Sequence, residues 1–447
     1  MRGLPCYHLA RLPTSTSLPG PSQSGRLGLQ NALLQLTPTT NDYAPTAVPQ
    51  PCRGEKTMVL RSRVVVSVGL LLGFGCSPDG ADESRVTREA QLQADHQRTF
   101  GLPLVDLAGE AERQVVVDRE PGQYLGHPTT QLLPSGTLLT VYPKGHGNGP
   151  IVYKRSEDGG LTWSHRLPVP DSWETSKEVP TLFQVQLPDG ATRLIMFSGL
   201  YPIRSSISDD LGETWSELRP IGEFGGIVAM ASLHQQTSGD LLAFFHDDGR
   251  FLNDSGETEA FQVFATRSSD DGATWNAPWV IAEHEEADLC EPGLIQSPDG
   301  SRLALLLREN SRAHESFIVF SDDEGETWSE PREVPRALTG DRHTGRYAPD
   351  GRLVITYRDM AQDSPTKGDW VAWIGQWEDL AQGRPGSFRV RFMDNTDPWD
   401  AAYPGIELLD DETFVTTTYG HWTHGAEPYV VSVRFRMDEL DDRLPRD

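Results

Sequence analysis

An eight-residue motif, Ser-x-Asp-x-Gly-x-Thr-Trp, occurs four times in the chain and constrains the fold more than any other feature. Its closing tryptophans are Trp163, Trp215, Trp275 and Trp328, so consecutive copies are 52, 60 and 53 residues apart. A repeat length near 50 residues is typical of propeller blades. Within the motif, Ser and Asp can bind local backbone amides and Gly can adopt positive φ, which describes a tight turn. We interpret the motifs as structural turns.

Six hairpins of apolar strands extend this repeat. Each hairpin has two apolar runs around a short turn, and the turns lie at Gly136, Gly190, Gly239, Gly300, Gly351 and Glu412. Six hairpins predict an all-β chain folded as a six-bladed β-propeller. Gln114–Asp118 and Tyr429–Phe435 are single strands at the two ends. We expect them to complete one blade together and close the ring, because closure removes exposed strand edges.

The chain before the propeller changes composition twice. The first part is rich in proline and has no sustained periodicity, which predicts a disordered or non-native extension. A basic start and the apolar run Val64–Phe74 follow, and this run is too short to span a bilayer, so it predicts a secretory signal peptide. The predicted segments are an extension at 1–57, a signal peptide at 58–76, a polar tether at 77–110, the propeller at 111–440 and a tail at 441–447.

Cys76 directly follows the apolar run and resembles the acylated cysteine of a bacterial lipoprotein. Gly75 precedes it as a small residue, but Gly73 stands where a leucine is usual. Lipidation of Cys76 and ordinary cleavage near Gly75–Asp79 both stay open. In either case we expect an exported protein, in the bacterial periplasm, on the outer membrane as a lipoprotein, or outside the cell.

Composition excludes several classes of function. The chain has 39 basic and 65 acidic residues, a net charge of −26, and would repel nucleic acid. With 37% hydrophobic residues and one short apolar run, it is not an integral membrane protein. Four cysteines cannot staple 447 residues, so a large core must stabilise the fold. No nucleotide-binding, metal-binding or serine-hydrolase motif occurs, so we predict no cofactor and no metal, and we expect a monomer.

Aligning the hairpins on their turns shows which residues share one end of the central channel. Nine residues before the turns stand His127, Thr181, Met230, Glu291, Arg342 and Tyr403, with Glu178 just ahead of Thr181. Just after the second strands stand Lys144, Ser198, His246, Asp247, Arg308, Arg358, Asp359 and Tyr419. Polar, charged and aromatic side chains gathered in this way match simple core packing poorly, so we predict the functional site at this end of the channel.

The repeated motif and the blade number resemble those of the sialidase superfamily over residues 111–440. Tyr403, before Pro404, resembles the tyrosine nucleophile, Glu291 its base, and Arg308 and Arg358 two carboxylate-binding arginines. The resemblance implies a glycoside hydrolase acting on terminal sialic or related acidic sugars of glycans. A neutral phenol avoids the repulsion that a carboxylate nucleophile would meet at such a substrate, and guanidinium groups bind its carboxylate in bidentate fashion.

The first blade departs from the pattern of the superfamily. Gly126-His127-Pro128 stands where an arginine is expected, and the loop at 142–150 contains no carboxylate for the general acid. The candidates for proton donation are His146, Asp247 and Glu178. Further candidates for substrate binding are Lys144, His127, Arg342 and Glu178.

Two other functions stay open at this point. A carbohydrate-binding propeller without catalysis would explain the missing arginine and the missing carboxylate of the first blade. A lyase acting on uronic-acid polysaccharides would use tyrosine and histidine as base and acid, and arginine to neutralise the carboxylate.

Overall fold

A computed structural model describes residues 79–256 and 260–445. The predicted extension at 1–57, the predicted signal peptide at 58–76 and Cys76 lie outside these described residues. Within them, no helix has the length and apolar character needed to cross a membrane.

The described part of the chain is built mainly from short antiparallel strands. The first strands are β1 (Leu104–Asp106), β2 (Gln114–Asp118), β3 (Thr129–Leu132), β4 (Leu138–Pro143), β5 (Ile151–Ser156), β6 (Thr181–Gln186), β7 (Thr192–Ser198), β8 (Arg204–Ser208), β9 (Arg219–Pro220), β10 (Ile227–Gln235), β11 (Leu241–Asp247) and β12 (Gln262–Ser268). The others are β13 (Trp279–Glu283), β14 (Leu289–Gln296), β15 (Leu303–Glu309), β16 (Phe317–Ser321), β17 (Arg332–Glu333), β18 (Gly340–Tyr347), β19 (Leu353–Asp359), β20 (Trp370–Gly375), β21 (Phe388–Met393), β22 (Ala401–Leu408), β23 (Phe414–Gly420) and β24 (Tyr429–Phe435). The helices are α1 (Asp79–Phe100), α2 (Trp377–Gln382) and α3 (Met437–Asp441), with 3-10 turns at Ala111–Arg113, Asp171–Thr175 and Arg336–Leu338.

These strands form six sheets, which confirms the predicted six-bladed propeller. In order along the chain the blades are β3-β4-β5, β6-β7-β8-β9, β10-β11-β12-β13, β14-β15-β16-β17, β18-β19-β20-β21-β1 and β22-β23-β24-β2. The first strand of each blade packs against the first strands of its neighbours, and β22 of the last blade packs against β3 of the first. The ring is therefore closed, and the six predicted hairpins supply the two innermost strands of every blade.

The two ends of the propeller meet in the sixth blade, as predicted. β2 pairs antiparallel with β24, with Gln114 opposite Val433. Between the sixth and first blades, the indole nitrogen of Trp163 donates a 3.3 Å hydrogen bond to Ser432 Oγ. β2 and β24 thus share one sheet, and this pairing closes the ring.

The four repeated motifs form turns that pack each blade on the one before it. In the second copy, Asp210 accepts hydrogen bonds from the backbone nitrogen of Thr214 at 2.9 Å and from its hydroxyl at 2.5 Å. Gly212 has φ +85°, and a Cβ at this position would lie 2.4 Å from the hydroxyl of Tyr153 in the first blade. In the third copy, the ring of Trp275 packs 5.6 Å from that of Phe197 in the second blade. The motif residues are structural.

The segment at 77–110 is not a tether throughout, and here the structure corrects the sequence analysis. α1 occupies Asp79–Phe100, and β1 pairs in parallel with β21, with Leu104 opposite Arg389. The end of α1 buries His96 and packs the ring of Phe100 4.5 Å from the guanidinium of Arg389. The segment is polar on average, so its composition did not indicate these few contact residues. His96, Phe100 and strand β1 dock the segment on the fifth blade.

Candidate active site

In four blades the chain bends at the same position, which lies on the first strand or, for His127, two residues before it, and each bend carries a predicted site residue. His127, Glu291, Arg342 and Tyr403 have φ values of +56°, +50°, +56° and +60°. For residues with a Cβ this left-handed region is uncommon and costs free energy. In the blades of Glu291, Arg342 and Tyr403, the register with the next strand shifts at this point. The bends are a repeated feature that presents four side chains at one end of the channel.

Tyr403 and Glu291 are in direct contact. The phenol donates a 2.5 Å hydrogen bond to Glu291 Oε1, which also accepts a 2.8 Å hydrogen bond from Arg308 Nη1. Both residues are buried, with 9% of Tyr403 and 3% of Glu291 exposed. Burial and the Glu291 charge raise the pKa of Tyr403 well above its usual value. Burial is the largest single effect on Glu291 and opposes its ionisation. Arg308 and the hydrogen bond from Tyr403 act in the opposite direction, and the pKa of that carboxyl is lowered overall. The resting pair is a neutral phenol on an ionised acceptor.

Backbone contacts hold Glu291 in its strained conformation. The backbone nitrogen of Glu291 donates a 3.3 Å hydrogen bond to His246 Nδ1. Burial lowers the pKa of His246 to about 4, so this imidazole is neutral and can accept. The second carboxylate oxygen of Glu291 has no hydrogen-bond partner among the described residues. One oxygen is therefore engaged by Tyr403 and Arg308, and the other is buried without a hydrogen bond from the described residues.

The predicted arginines meet at an internal carboxylate, Asp341. Arg358 Nε donates to Asp341 Oδ2 at 2.9 Å, and its Nη2 contacts the same oxygen. Arg312 donates to both Asp341 oxygens, at 2.5 and 2.9 Å. Arg308 Nε lies 3.3 Å from Asp341 Oδ1. The structure thus brings Arg308 and Arg358 together as predicted, and it adds two partners that the sequence analysis missed.

Arg342 differs from these three arginines because it has no ion pair among the described residues. Its guanidinium lies 5.3 Å from the centre of the Tyr403 ring, and its Nη1 is buried without a hydrogen-bond partner in the described structure. Burial lowers the pKa of Arg342, whereas Tyr403 and Glu291 act in the opposite direction. A buried cation without a counterion is costly, so this group is positioned to meet an anion or a developing negative charge.

His127 is buried at this end of the channel, and its imidazole is neutral. Its Nδ1 accepts a 3.2 Å hydrogen bond from the backbone nitrogen of Gly147. Burial holds the pKa of His127 well below its usual value, so the ring is neutral and its proton is on Nε2. This Nε2 lies 3.1 Å from the hydroxyl of Tyr419, which donates to Asp400 at 3.0 Å. The imidazole also packs edge-on at 4.5 Å against the Tyr403 ring.

Glu178 brings a carboxyl to the first-blade loop that lacks one. A side chain on Gly147 would begin 2.9 Å from Glu178 Oε1, so this carboxyl fills the space beside Gly147. Oε1 accepts a 2.9 Å hydrogen bond from the backbone nitrogen of Val179. Burial, reinforced by the negative charge of Glu291, raises the pKa of Glu178 to about 7. The protonated and the ionised form of Glu178 are therefore both populated near neutral pH.

Three other predicted residues have different surroundings. Asp247 turns into its own loop and accepts hydrogen bonds from the backbone nitrogens of Phe251 and Leu252 at 3.1 and 3.2 Å. Lys144 forms a 3.1 Å ion pair with Glu120. His146 is 70% exposed, and its Nε2 lies 3.8 Å from Asp400. The structure does not place Asp247 or Lys144 with the tyrosine and arginine cluster. Backbone amides of its own loop bind Asp247, and the carboxylate of Glu120 binds Lys144.

Sequence reasoning missed Asp341, Arg312, Asp400 and Tyr124. Asp400 accepts from Tyr124 at 2.7 Å and from Tyr419 at 3.0 Å. Asp341 directly precedes Arg342, so its place next to an aligned residue was the available signal. Asp400 and Arg312 lie in loops, where alignment of hairpins gives no guide.

A cavity of about 630 Å³ extends behind Tyr403 and Arg342 along the first strands of the blades, towards the hairpin turns. Near its far end, Arg346 pairs with Glu407 at 3.0 Å. Within the described residues, no group of three or more His, Cys, Asp or Glu side chains is placed to hold a metal ion. Cys290 is buried, and burial raises the pKa of its thiol.

Comparison with known proteins identifies the class of this fold and site. The BNR repeat-like domain family matches residues 109–284 and 203–363, so the chain belongs to this family. A sialidase from Clostridium perfringens is 23% identical over 248 residues, which are 53% of this chain and 56% of that protein. The aligned part thus spans little more than half of that relative. These matches confirm the resemblance to the sialidase superfamily.

Solved structures with the same fold include glycoside hydrolases of different specificity. A Dyadobacter fermentans protein of unknown function has a TM-score of 0.57 at 16% identity, covering 72% of this chain and 97% of its own. A Penicillium chrysogenum α-L-arabinanase has a TM-score of 0.54 at 14% identity, with 73% and 98% covered. A Streptococcus pneumoniae sialidase has a TM-score of 0.52 at 12% identity, with 73% and 71% covered. At these identities the similarity establishes the propeller fold alone.

Proposed function

We propose that the protein is an exported glycoside hydrolase that removes terminal sialic or related acidic sugars from glycans. The observation that supports this most directly is the 2.5 Å hydrogen bond from the Tyr403 phenol to Glu291, made between two buried and strained residues. A tyrosine aligned on an ionised carboxylate is a nucleophile with its base in place. A sialidase and an arabinanase are among the proteins similar to this chain, which agrees with a hydrolase on this fold.

In the proposed reaction, Tyr403 attacks the anomeric carbon while Glu291 takes the phenol proton. The bond from that carbon to the leaving oxygen breaks, and Glu178 donates its proton to this oxygen. A water molecule, deprotonated by Glu178, then attacks the sugar bound to Tyr403, and Glu291 returns the proton to the phenol oxygen. Two displacements at one carbon give retention of configuration.

Electrostatics around the pair favour an acidic sugar. The four guanidinium groups of Arg308, Arg312, Arg342 and Arg358 outnumber the two carboxylates of Glu291 and Asp341, which leaves the cluster positive. The whole chain carries a net charge of −26, so this local field stands out against its surroundings. We assign the contact with the substrate's carboxylate to Arg342, which has no ion pair among the described residues.

Export remains part of the proposal and depends on the predicted signal peptide at 58–76. Labelling cells with a radioactive fatty acid would show whether Cys76 is acylated, because a Cys76→Ser chain would then lose the label. The expected partners are acidic glycans or sialoglycoconjugates, not nucleic acid, with membrane anchoring only through lipid on Cys76.

Turnover of a fluorogenic α-sialoside and a panel of acidic glycans tests the proposal. We expect hydrolysis by the wild type, release of the retained anomer by NMR, and loss of turnover in Tyr403→Phe. Tyr142→Phe is the matched control, because its buried hydroxyl also donates to a carboxylate, Asp118, at 2.6 Å, but in the first blade. Glycan binding without turnover, unchanged in Tyr403→Phe, would contradict the hydrolase and indicate a carbohydrate-binding propeller.

A uronic-acid lyase is the second candidate, and one observation favours it. Neutral His127 lies between Tyr403 and Tyr419, with ring distances of 4.5 Å to each, and a tyrosine–histidine set can serve as base and acid in an elimination. Arg342 would then neutralise the uronate. An eliminase gives an unsaturated product that absorbs in the ultraviolet, whereas hydrolysis of the same polysaccharide gives reducing ends without that absorbance.

A further inference from the structure

Asp341 occupies the centre of the arginine cluster and is almost fully buried, with 1% of its side chain exposed. It stands on β18 opposite Arg358, and the two strands shift register just beyond this pair. Three arginines from three different segments point at its two oxygens: Arg358, Arg312 and Arg308. A carboxylate in this position has the surroundings that a bound acidic ligand would have.

Each of these guanidinium groups has donors engaged within the protein. Arg358 uses Nε and Nη2 on Asp341 and Nη1 on the carbonyl of Trp399. Arg312 uses both terminal nitrogens on Asp341. Arg308 uses Nη1 on Glu291 and Nη2 on Asn310, each at 2.8 Å. Bidentate binding of a carboxylate needs two parallel N–H groups. Arg312 already directs its two terminal nitrogens at Asp341 in this way, and Arg358 directs Nε and Nη2 at one oxygen of the same carboxylate.

We infer that Asp341 is a built-in carboxylate that fills the anion site formed by Arg308, Arg312 and Arg358, so that the acidic group of the substrate is recognised by Arg342 instead. The second half of this inference rests on the proposed function, whereas the first half depends only on the contacts of Asp341. Asp341 is thus a specificity-determining residue. It keeps the three arginines compensated and in place and withholds them from a substrate carboxylate.

Charge and burial support this assignment. The side chains of Arg308, Arg312 and Arg358 are mostly shielded from solvent. They need an anion nearby, because an unpaired buried charge destabilises a fold severely. Burial acts to raise the pKa of Asp341, but Arg308, Arg358 and Arg312 hold it far below its usual value, so the carboxylate is ionised at any physiological pH. Arg342 follows Asp341 in the chain yet points to the Tyr403 ring, outside this network. The two adjacent residues therefore have different roles: Asp341 is the anion bound by the three arginines, and Arg342 is a cation outside that network.

The claim that Asp341 fills the anion site of the three arginines can be tested by removing its carboxylate and supplying acetate from solution. We expect Asp341→Ala to lose stability and to regain it with acetate, with a Tm increase of at least about 3 °C at roughly 100 mM acetate over chloride of equal ionic strength. The wild type and the isosteric Asp341→Asn, in which no space opens, should not respond to acetate in this way. If Asp341→Ala does not fold alone, the yield of folded protein on refolding with acetate, compared with chloride, replaces the Tm as the readout. A Tm or yield that is indifferent to acetate would overturn the anion site.

Two arginine variants test whether Arg342 recognises the acidic group of the substrate. N-acetylneuraminic acid is the probe in calorimetric titrations, and the α-sialoside is the substrate in kinetics. Arg342→Gln should weaken binding or raise KM at least about tenfold, which corresponds to one lost charge-assisted contact. Arg358→Gln should lower the Tm and weaken binding clearly less than Arg342→Gln does, because Asp341 and the Trp399 carbonyl already engage this guanidinium. Equal loss of affinity in Arg358→Gln would overturn the inference. Acetate rescue of Asp341→Ala without any binding or turnover of acidic sugars would instead retain the role of Asp341 and reject the proposed substrate.

Discussion

Tyr403 and Glu291 lie 112 positions apart in the chain, yet their side chains share a 2.5 Å hydrogen bond. Both stand at the same position of the first strand in their blades, the sixth and the fourth, and both have positive φ. Repetition of one strained bend around the ring therefore brings the two together. The strain is sustained by the closed propeller around it, and it orients the pair without help from a flexible loop.

Glu291→Gln should reduce kcat by about 10²- to 10⁴-fold, because an amide cannot take the phenol proton of Tyr403. The shape of the side chain and its contact with Arg308 through the amide oxygen are kept, so the Tm should change little compared with the loss of rate. Glu407→Gln is the matched control, because Glu407 is also buried and paired with an arginine, Arg346, but at the far end of the channel. Similar kinetics in the two variants would show that Glu291 is not the base.

Glu178→Gln should change the pH dependence of the reaction. Because burial and Glu291 raise the pKa of Glu178 to about 7, the protonated form needed for acid catalysis is lost as the pH rises through 7. We expect kcat/KM of the wild type to fall above that pH and the variant to be slow at every pH, without this alkaline limb. Glu174→Gln, at an exposed position just before Glu178, should keep the wild-type profile.

The same group predicts a stability effect of defined sign. The pKa of Glu178 is raised from 4.5 to about 7 in the folded state, so its contribution to stability is complete below pH 4.5 and is lost as the pH rises through 7. The free energy of unfolding measured with urea should therefore decrease for the wild type between pH 4.5 and a pH above 7, relative to that of Glu178→Gln. Parallel pH profiles of the two proteins would contradict the raised pKa.

The bend at His127 can be tested by two substitutions that both remove the imidazole. Asparagine adopts the left-handed region readily, whereas β-branched valine is strained there. With φ at +56°, His127→Val should be less stable than His127→Asn by about 1–2 kcal/mol in urea unfolding. Equal unfolding midpoints would mean that the bend relaxes without cost, and that it does not hold Tyr403 in place.

Asp210→Ala tests the structural role of the repeated motif. Asp210 accepts hydrogen bonds from the backbone and hydroxyl of Thr214 and from Ser208. Partial burial acts to raise its pKa, but these hydrogen bonds outweigh burial and lower it, so the stabilisation exists above pH 3.8 and is lost as the pH falls. We expect a loss of about 1 kcal/mol near neutral pH, less at pH 3, and unchanged kcat/KM. A kinetic defect would show that the motif also contributes to the site.

The repeats made the propeller and the ring of site residues predictable from the sequence. Equivalent positions in a closed ring must converge on its axis, so one alignment found His127, Glu291, Arg342 and Tyr403 together. The partner of each side chain was not predictable in this way. Asp341 lies one residue from an aligned position, and the direction of its carboxylate depends on the bend that follows it.

Side chains at the ends of loops were least predictable. Asp247 was a candidate proton donor, but its direction depends on the loop after β11, whose amides it accepts. Lys144 was a candidate substrate contact, but Glu120 comes from a segment outside the hairpins. Local hydrogen bonds decide such orientations, and a repeat pattern does not contain them. The docking of α1 was missed for a related reason, because its contacts involve few residues in a polar segment.

Phe100→Ala tests whether α1 belongs to the propeller. The Phe100 ring packs 4.5 Å from the guanidinium of Arg389, which is fully buried and paired with Asp359 at 2.7 Å. Loss of this half-buried ring exposes the cation to water and leaves a cavity, so we expect urea unfolding to show a loss of about 2 kcal/mol. Val86→Ala, 58% exposed on the same helix, should change stability by less than about 0.5 kcal/mol. If Phe100→Ala were as stable as Val86→Ala, the segment would act as the tether that its composition predicts, and the contact with Arg389 would contribute nothing to the fold.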